Sequence, residues 1–433
     1  MKFFEQRNNP AALIVLVAVL ILTAMTALAA PAWQGHEDYE DGILTVYNTG
    51  GPTDQPSVIK PEPQWRIGDE DEVLFGLVTD AQRAHNGTTY LLDAVMSTVY
   101  EISPTGEVRR TLGHEGDGPG EFRNAVSLAL LPDRNVGIVE MMPSHMVVLD
   151  HEGLPRPSIE LGDGEGERSH VQSITVDGDR MVMGLFSTRF NEGSAEIRHT
   201  LGTFDLEGAL QHKVLHSMET QSGGSISIST DDDNDFINNW VVGPNGQIAV
   251  YRRTSQYLVE VFGADGQPVR NIRREYDSLR RPDDELADAR RQQEQMRERF
   301  GGSMEMEIEE MARDISEVIA RPNGDMWVMN SRGERECPAG HIGIFDVFDT
   351  KGHFVRTLRL EADYSADDDQ YLIRGNHLYV LKEAQNAPDR TFSGGGGNMM
   401  MVMSSGGGGS DDDEDEEDPE PYEVICYELP AGI

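Results

Sequence analysis

Cysteine is nearly absent: Cys337 and Cys426 are the only two in 433 residues. No Cys-x-x-Cys pair occurs, which excludes thiolate zinc ribbons and thioredoxin-type redox motifs. An oxidising compartment would permit a disulfide between the two, although one bond cannot be the main staple of a chain this long. We expect two unpaired, buried thiols and keep the disulfide as the alternative.

Lysine is also scarce, with five among the 36 basic residues, and acidic residues number 76, for a formal net charge of -40. A surface of this charge repels nucleic acid and anionic membranes. We therefore expect no nucleic-acid partner. Membrane contact is expected only if the N-terminal segment is retained.

Several catalytic signatures are missing. The glycine-rich stretch at residues 113–122 is not followed by Gly-Lys-Ser/Thr, which excludes a phosphate loop, and no His-Glu-x-x-His motif is present. The 12 histidines are scattered, without clear metal-ligand spacing. Residues 231–235 resemble part of a calcium loop but lack its glycine and its distal glutamate. We expect no cofactor and keep Ca²⁺ or another divalent metal as the alternative.

Residues 1–30 have the features of a signal peptide. Lys2 and Arg7 precede a continuous run of apolar or small residues from 11 to 30, which ends in Ala27-Leu28-Ala29. An uncleaved anchor is the alternative, because about 20 apolar residues can span a bilayer. Both interpretations place the rest of the chain outside the cytoplasm, either periplasmic or secreted.

The remaining chain repeats one module of four short apolar or alternating runs separated by turns. The turn glycines Gly106, Gly153, Gly208 and Gly266 recur at intervals of 47, 55 and 58 residues. This period, with four strands in each unit, is typical of a β-propeller. The sequence therefore predicts an all-β fold over residues 71–433, a six-bladed β-propeller of four-stranded antiparallel blades.

The N-terminal lead, residues 31–70, is predicted to close the ring. Residues 31–41 have the composition of a flexible lead, and strand-like pieces follow at 43–47 and 64–67. The sixth module has no clear outer strand of its own. We expect one of the early strands to supply it.

Two insertions interrupt the repeat. Residues 282–316, between blades 4 and 5, are predicted to be helical in two pieces, the second with apolar residues at helical spacing from 304 to 315. Residues 393–421 combine two glycine runs, a methionine cluster and an acidic run. This composition cannot bury a core, so a disordered loop is predicted there.

Three short motifs resemble those of bacterial extracytoplasmic six-bladed β-propellers related to the NHL and TolB propellers. They are the Gly-Pro-Gly-Glu-Phe of residues 118–122, the Trp-Arg-Ile-Gly of 65–68 and the Asn-Gly-Asp-Met-Trp-Val of 323–328. The resemblance covers residues 43–430. It implies a propeller architecture and export more than any activity.

Some members of that wider group are enzymes. The resemblance implies that a lactonase-type member would hold a divalent metal in the channel through acids and asparagines of the inner strands. A member of the amidating-lyase type would use a metal, an arginine and a tyrosine there. The inner runs of this chain offer few such residues, namely Glu317, Asn238 and Asn239.

A set of charged residues follows the second strand of each module, where a propeller places them at one face near the channel mouth. In blade order they are Asp93, Glu140, Arg189, Arg252 with Arg253, Arg332 and Lys382. Four consecutive blades thus present a cation, and guanidinium groups suit carboxylates and phosphates. We hypothesise an anion-binding half-rim. The alternative is that these cations pair with local acids such as Glu334 or Glu383.

The sequence thus predicts an exported, non-enzymatic propeller scaffold, expected to be a monomer. It would bind a protein, a peptide or an anionic small ligand at the channel face, since concave ring mouths are common ligand sites. One alternative is a metal-dependent propeller enzyme of lactonase or lyase type. Another is an envelope-structural protein.

Overall fold

The computed structural model describes residues 32–68, 73–141, 144–164, 168–191, 194–222, 226–229, 235–252, 255–299, 304–385 and 422–432. The predicted signal segment, the predicted disordered loop at 393–421, the calcium-loop-like residues up to 234 and Arg253 lie outside the described residues. The described part forms a six-bladed β-propeller of four-stranded antiparallel blades, as the repeat predicts. Within it no helix is long and apolar enough to cross a membrane.

The strands follow the chain in order. The N-terminal segment contains β1 (Gly35–Glu40), β2 (Ile43–Asn48), β3 (Ser57–Ile59) and β4 (Pro63–Ile67). Blade 1 contains β5 (Val78–Arg83), β6 (Thr89–Asp93), β7 (Thr98–Ile102) and β8 (Val108–Leu112). Blade 2 contains β9 (Ala125–Leu130), β10 (Val136–Met141), β11 (Ser144–Leu149) and β12 (Pro155–Glu160). Blade 3 contains β13 (Arg168–Asp177), β14 (Arg180–Asn191), β15 (Ser194–Asp205) and β16 (Leu210–Ser222).

The second half of the ring repeats the pattern with additions. After β17 (Ile226–Ser229), blade 4 contains β18 (Trp240–Val242), β19 (Ile248–Tyr251), β20 (Leu258–Phe262) and β21 (Pro268–Arg274). Helix α1 (Asp283–Arg299) and β22 (Met304–Glu307) form the insertion. Blade 5 contains β23 (Ile315–Ala320), β24 (Met326–Asn330), the short helix α2 (Ser331–Arg335), β25 (His341–Phe348) and β26 (Phe354–Glu361). Blade 6 contains β27 (Gln370–Arg374), β28 (His377–Leu381) and β29 (Val424–Glu428).

The hydrophobic core is divided among the seams between blades. The described residues form six buried apolar clusters, and each cluster joins two neighbouring blades. The inner strands of neighbouring blades also contact one another around the channel. Because each sheet buries both of its faces, strands such as β10 are apolar at nearly every position.

The ring is closed by a strand from the N-terminal segment. Strand β4 pairs antiparallel with β29, with Ile67 opposite Val424 and Trp65 opposite Cys426, and supplies the outer strand of blade 6. This confirms the predicted closure. Strands β2 and β3 add in parallel to the outer strands of blades 4 and 5. The N-terminal segment thus forms a belt around three blades.

One prediction for this segment was wrong. Residues 31–41 were expected to be a flexible lead, but Gly35–Glu40 pairs with β2 as a hairpin. The two turn residues, Asp41 and Gly42, both have positive φ angles, 51° and 85°. An Asp-Gly pair with that conformation is the favoured turn of a two-residue β-hairpin.

A salt-bridge network surrounds the closing strand. Arg66 of β4 contacts Asp363 at 2.9 Å and Glu423 at 3.1 Å. Lys382 lies 3.5 Å from Asp363 and 2.7 Å from Asp369. Asp363 therefore bridges the cation of the closing strand and the cation of blade 6.

Replacement of Asp363 by Asn is expected to weaken ring closure in a pH-dependent way. The hydrogen bond from Arg66 is the main cause that holds the pKa of Asp363 below its usual 3.8. A lowered folded-state pKa contributes stability above the unfolded value, and this contribution is lost as the pH falls through the folded value. The difference in unfolding midpoint between parent and variant should be constant above pH ~5 and shrink below ~4. If the two unfolding midpoints differ as much at pH 3 as at neutral pH, the prediction is wrong.

The insertion between blades 4 and 5 is only partly helical. Helix α1 confirms the first predicted piece, but the second predicted helix, over 304–315, was wrong. Met304–Glu307 is a strand that pairs in parallel with β17, and Ile315 begins β23. The sequence from 304 to 309 alternates apolar residues with glutamate, a period of two that fits a strand, although the apolar residues also match helical spacing.

Antiparallel order places the start of the first strand, the end of the second, the start of the third and the end of the fourth at one end of each sheet. We call the face of the ring formed by these ends the crossing face. The connection at residues 113–122 joins β8 to β9 there, as predicted for a crossing between blades. The segment with β17, the insertion with α1, and α2 all emerge on the crossing face.

Candidate functional site: the channel wall and the crossing face

The inner strands of four blades share a β-bulge near the crossing face. Each bulge leaves one residue of the inner strand without a partner on the second strand. These residues are Thr79, Val126, Gln172 and Ser316. Bulges redirect the side chains that follow them and are frequent next to functional sites. The residue after each bulge is polar: Asp80, Ser127, Ser173 and Glu317.

In blades 1 and 2 these polar residues join the two inner strands. Asp80 is 3 % exposed, and its Oδ2 accepts hydrogen bonds from the Ser127 hydroxyl at 2.8 Å and the Leu128 backbone N–H at 2.9 Å. The Arg374 guanidinium of blade 6 contacts the other carboxylate oxygen at 3.0 Å. One carboxylate therefore links three consecutive blades across the channel wall.

The same position links two further seams. The Ser173 hydroxyl donates to the backbone carbonyl of Ile237 and accepts from the Trp240 indole N–H at 2.8 Å, which joins blades 3 and 4. Glu317 accepts from the Tyr371 hydroxyl at 2.5 Å, which joins blades 5 and 6. Polar contacts at this position thus join four of the six seams of the inner wall.

Burial governs the ionisation of the Glu317–Tyr371 pair. Desolvation raises the pKa of the Glu317 carboxyl, although the Tyr371 hydrogen bond opposes the shift. Desolvation, followed by the charge of Glu317, raises the pKa of Tyr371 well above 10. Tyr371 therefore remains a neutral donor over the physiological pH range.

The two acidic residues of the predicted rim serve as local caps. The Asp93 carboxylate is buried and accepts from the backbone N–H groups of Gly76, Leu77 and Met96 at 2.7–3.0 Å. Glu140 accepts from the Arg123 backbone N–H and lies 3.0 Å from His145. Both hold connections on the crossing face in place.

The cations of the predicted half-rim already contact groups of this chain. Arg252 pairs with Glu260 at 2.9 Å, and Lys382 pairs with Asp369. Arg332 donates to the Asp277 carbonyl at 2.9 Å and lies 3.7 Å from Glu336. Arg189 lies within β14 opposite Glu196, not after the strand. The anion-binding half-rim stays a prediction, and so does the pairing of its cations with Glu334 or Glu383.

The three possible metal ligands of the lactonase resemblance lie on blades 4 and 5. Glu317 is engaged with Tyr371, and Asn239 is buried at the start of blade 4, where its carbonyl accepts from the Tyr251 N–H. Asn238 adjoins it and is exposed. Within the described ranges, no three His, Cys, Asp or Glu side chains form a group that could hold a metal ion.

Both cysteines are free thiols, as expected. Cys426 is buried in β29, and burial raises its pKa to about 12. Cys337 follows helix α2 and is half-buried, where desolvation raises its pKa as well. Neither thiol is activated as a nucleophile.

Exposed apolar side chains concentrate on the crossing face. Ten large hydrophobic residues are exposed in the described part of the chain. Six of them lie on crossing-face connections or strand ends: Leu74 (86 %), Val95 (38 %), Met96 (53 %), Phe190 (57 %), Met218 (57 %) and Met311 (37 %). This feature is not visible in the sequence because the residues belong to five different segments. Only the blade order brings those segments to one face.

Comparisons with known proteins give fold-level similarity at low identity. No protein-family model matches the chain. No curated protein matches it. Among solved structures, it is similar to a protein of Bacteroides fragilis described as exported, with 9% identity, coverage of 86% of this chain and 97% of that chain, and a TM-score of 0.41.

Two further solved structures have enzymatic or calcium-binding descriptions. A virginiamycin B lyase from Staphylococcus aureus is 8% identical, with coverage of 74% of this chain and 96% of that chain and a TM-score of 0.38. The calcium-binding protein regucalcin from Agrobacterium tumefaciens is 11% identical, with coverage of 76% and 87% and a TM-score of 0.34. The NHL and TolB relationship remains a prediction, and the chain's own sheets establish that the fold is a six-bladed β-propeller.

Proposed function

We propose that this protein is an exported, non-enzymatic β-propeller that binds a protein or peptide on its crossing face. The observation that carries the proposal is the concentration of six of ten exposed large hydrophobic residues on that face. Large exposed apolar areas on soluble proteins mark interaction sites, and these six residues share one face, on blades 1 and 3 and on the insertion. Export remains the inference from residues 1–30.

The shape of the face supports a macromolecular partner. Blade 3 has strands of 12 and 13 residues that extend beyond the four to eight residues typical of the other blades. The β17–β22 ribbon and helix α1 add to the same side. Such added elements enlarge the area available for contact with another chain.

The contacts between blades along the channel wall favour a role as a scaffold. Asp80 and Glu317, which follow the bulges of two inner strands, are both engaged with neighbouring blades, and Asp177 at the end of β13 pairs with Arg180. A protein or peptide partner is also favoured over an anionic small ligand, because Arg252, Arg332 and Lys382 contact carboxylates.

The test compares two triple variants of residues 31–433. The first replaces Leu74, Met96 and Phe190 by Ser on the crossing face. The second replaces Val58, Leu154 and Val269, which are 57 %, 56 % and 39 % exposed elsewhere on the ring. A partner is cross-linked to the parent protein in the organism's own envelope and purified, and its affinity for each variant is measured.

We expect the crossing-face variant to bind at least ~10-fold more weakly, since a combined loss of about 1.4 kcal/mol from the three truncated side chains is a tenfold loss of affinity. The control variant should stay within about twofold of the parent. Equal losses in both variants, or no loss in the first, would refute the proposal. One ion per chain that survives exhaustive dialysis, found by elemental analysis without chelator, would instead support the metal-dependent enzyme.

A further inference from the structure

A buried carboxylate at the base of the insertion lacks a cationic partner that its counterpart in the next blade has. Asp314 immediately precedes β23 and is 2 % exposed. Its Oδ1 atom has no hydrogen-bond partner among the residues that the structure describes. An unpaired buried carboxylate oxygen is costly, so this atom requires an explanation.

The first and last residues of the insertion meet at this point. The Arg281 N–H donates to the Glu310 carbonyl at 2.8 Å, and the Ala312 N–H donates to the Leu279 carbonyl at 2.7 Å. The chain then passes through Asp314 into the inner strand of blade 5. Asp314 therefore lies where the insertion joins the ring.

Polar groups of neighbouring segments contact Asp314. The Ser278 side chain and the Tyr257 backbone hydrogen-bond to it. The Ser331 backbone N–H donates to the Asp314 carbonyl, and the Ser331 and Tyr276 hydroxyls lie 2.7 Å apart. The nearby Arg332 directs its guanidinium to the Asp277 carbonyl and toward Glu336.

Blade 6 shows what the same position holds elsewhere in the ring. Asp369 immediately precedes β27, as Asp314 precedes β23, and the paired ends of the second strands are Leu381 and Asn330. The next residue is Lys382 in blade 6 and Ser331 in blade 5. The Lys382 ammonium lies 2.7 Å from Asp369, whereas blade 5 has a serine at the position of this lysine.

We propose that the site at Asp314 binds a hard inorganic cation, which takes the place that the lysine ammonium has in blade 6. Hard cations such as Na⁺ and Ca²⁺ prefer carboxylate, carbonyl and hydroxyl oxygens. With a single carboxylate the site is weak and exchangeable, with a Ca²⁺ dissociation constant of roughly 10⁻³ M or above. The inference does not depend on the proposed function.

The experiment measures the melting temperature of residues 31–433 as NaCl, KCl, MgCl₂ or CaCl₂ is added, with choline chloride at matched ionic strength as the baseline. At least one cation should raise Tm above that baseline by about 2–4 °C when it exceeds its dissociation constant 100-fold. Other acidic segments also attract cations, so the readout is the difference between parent and variants.

Three variants test whether the change in Tm with added cations comes from Asp314. Asp314→Asn keeps the size of the side chain and should reduce the ion response to the choline baseline. Ser331→Lys supplies an ammonium as in blade 6, and should raise Tm without added ions and remove the response. The control Asp283→Asn alters a carboxylate whose side chain is 89% exposed beside Arg280, and should respond as the parent does.

Two outcomes would overturn the inference. The first is a parent protein that responds to none of the four cations beyond choline. The second is an Asp314→Asn variant that responds as the parent does. If the variants fail to fold, the parent titration alone still tests the first outcome. A parent Tm that changes with pH but not with any cation would show that Asp314 binds a proton, which also contradicts the proposal.

Discussion

Replacement of Asp346 by Ala should lower the free energy of unfolding by about 3–5 kcal/mol, the usual cost of removing one partner from a buried ion pair. Asp346 is 2 % exposed in β25, at the seam between blades 4 and 5. Its Oδ2 accepts from the Tyr257 hydroxyl at 2.8 Å, the Asn330 amide at 2.7 Å and the Arg274 guanidinium.

The size of the effect follows from the buried groups that the substitution would leave without an acceptor. Without the carboxylate, a largely buried guanidinium and a buried phenol would lose their acceptor, and each would incur its desolvation cost. Arg274 would keep its position 4.4 Å from the centroid of the Phe354 ring. That contact cannot neutralise the charge.

The measurement is urea unfolding followed by circular dichroism at neutral pH. The control is Glu310→Ala, which removes a carboxylate that is 64% exposed and 3.7 Å from Arg280. Exposed ion pairs contribute about 0–1 kcal/mol, so the control should stay close to the parent. If Asp346→Ala unfolds at the same urea concentration as the control, the Asp346 cluster does not stabilise the seam.

Replacement of Arg321 by Met should have a comparable effect at the seam between blades 5 and 6. Arg321 is 2 % exposed and among the largest fully buried side chains. Its guanidinium donates to the carbonyls of Gly375 at 2.5 Å and Pro430 at 2.9 Å and to the Asn376 side chain at 3.1 Å. It therefore ties the C-terminal residues to the ring.

The expected loss of stability comes from the hydrogen bonds that Arg321 makes. Burial lowers the pKa of Arg321 to about 10, so the group stays charged at neutral pH and its hydrogen bonds are charge-assisted. Methionine fills similar space but makes none of these hydrogen bonds, and hydrogen bonds to a charged group contribute about 1.5–3 kcal/mol each. A loss of roughly 2–5 kcal/mol is expected.

Tryptophan fluorescence gives a local readout of this substitution, because the Arg321 guanidinium lies 4.3 Å from the centroid of the Trp327 ring. The emission should shift along with the unfolding midpoint. Arg109→Met is the control, since Arg109 is 46% exposed and 3.8 Å from Glu101. A shift in fluorescence without a loss of stability would show that the carbonyl contacts contribute little.

The architecture could be predicted because a propeller repeats its pattern. Each blade buries both faces, so the apolar runs and turn glycines recur along the chain and indicate the blade number. The ring-closing strand was predictable for a related reason. Blade 6 lacked an outer strand, and the N-terminal segment contained a strand that belonged to no blade. Helix α1 was predictable from its acidic first turn and the apolar residues on one face.

Local ambiguity accounts for the two fold predictions that were wrong. Residues 304–309 satisfy both helical and strand spacing, and the pairing with β17, some 80 residues earlier, selects the strand. Residues 35–40 are polar and exposed, so no apolar pattern indicated a strand. Their structure comes from the Asp-Gly turn and from pairing with β2.

The sequence alone determined the fold class, the number of blades, the closing strand and the charge that argues against nucleic acid, since each depends on composition or on a pattern repeated along the chain. Only the tertiary structure decided which side chains meet. Asp80 contacts Arg374, and Asp346 contacts Tyr257, across 294 and 89 positions of sequence. The apolar residues of the crossing face and the lone carboxylate of Asp314 became apparent only when blades could be compared in space. Contacts of this kind depend on the order of blades around the ring, and the local sequence does not encode which neighbour a side chain will face.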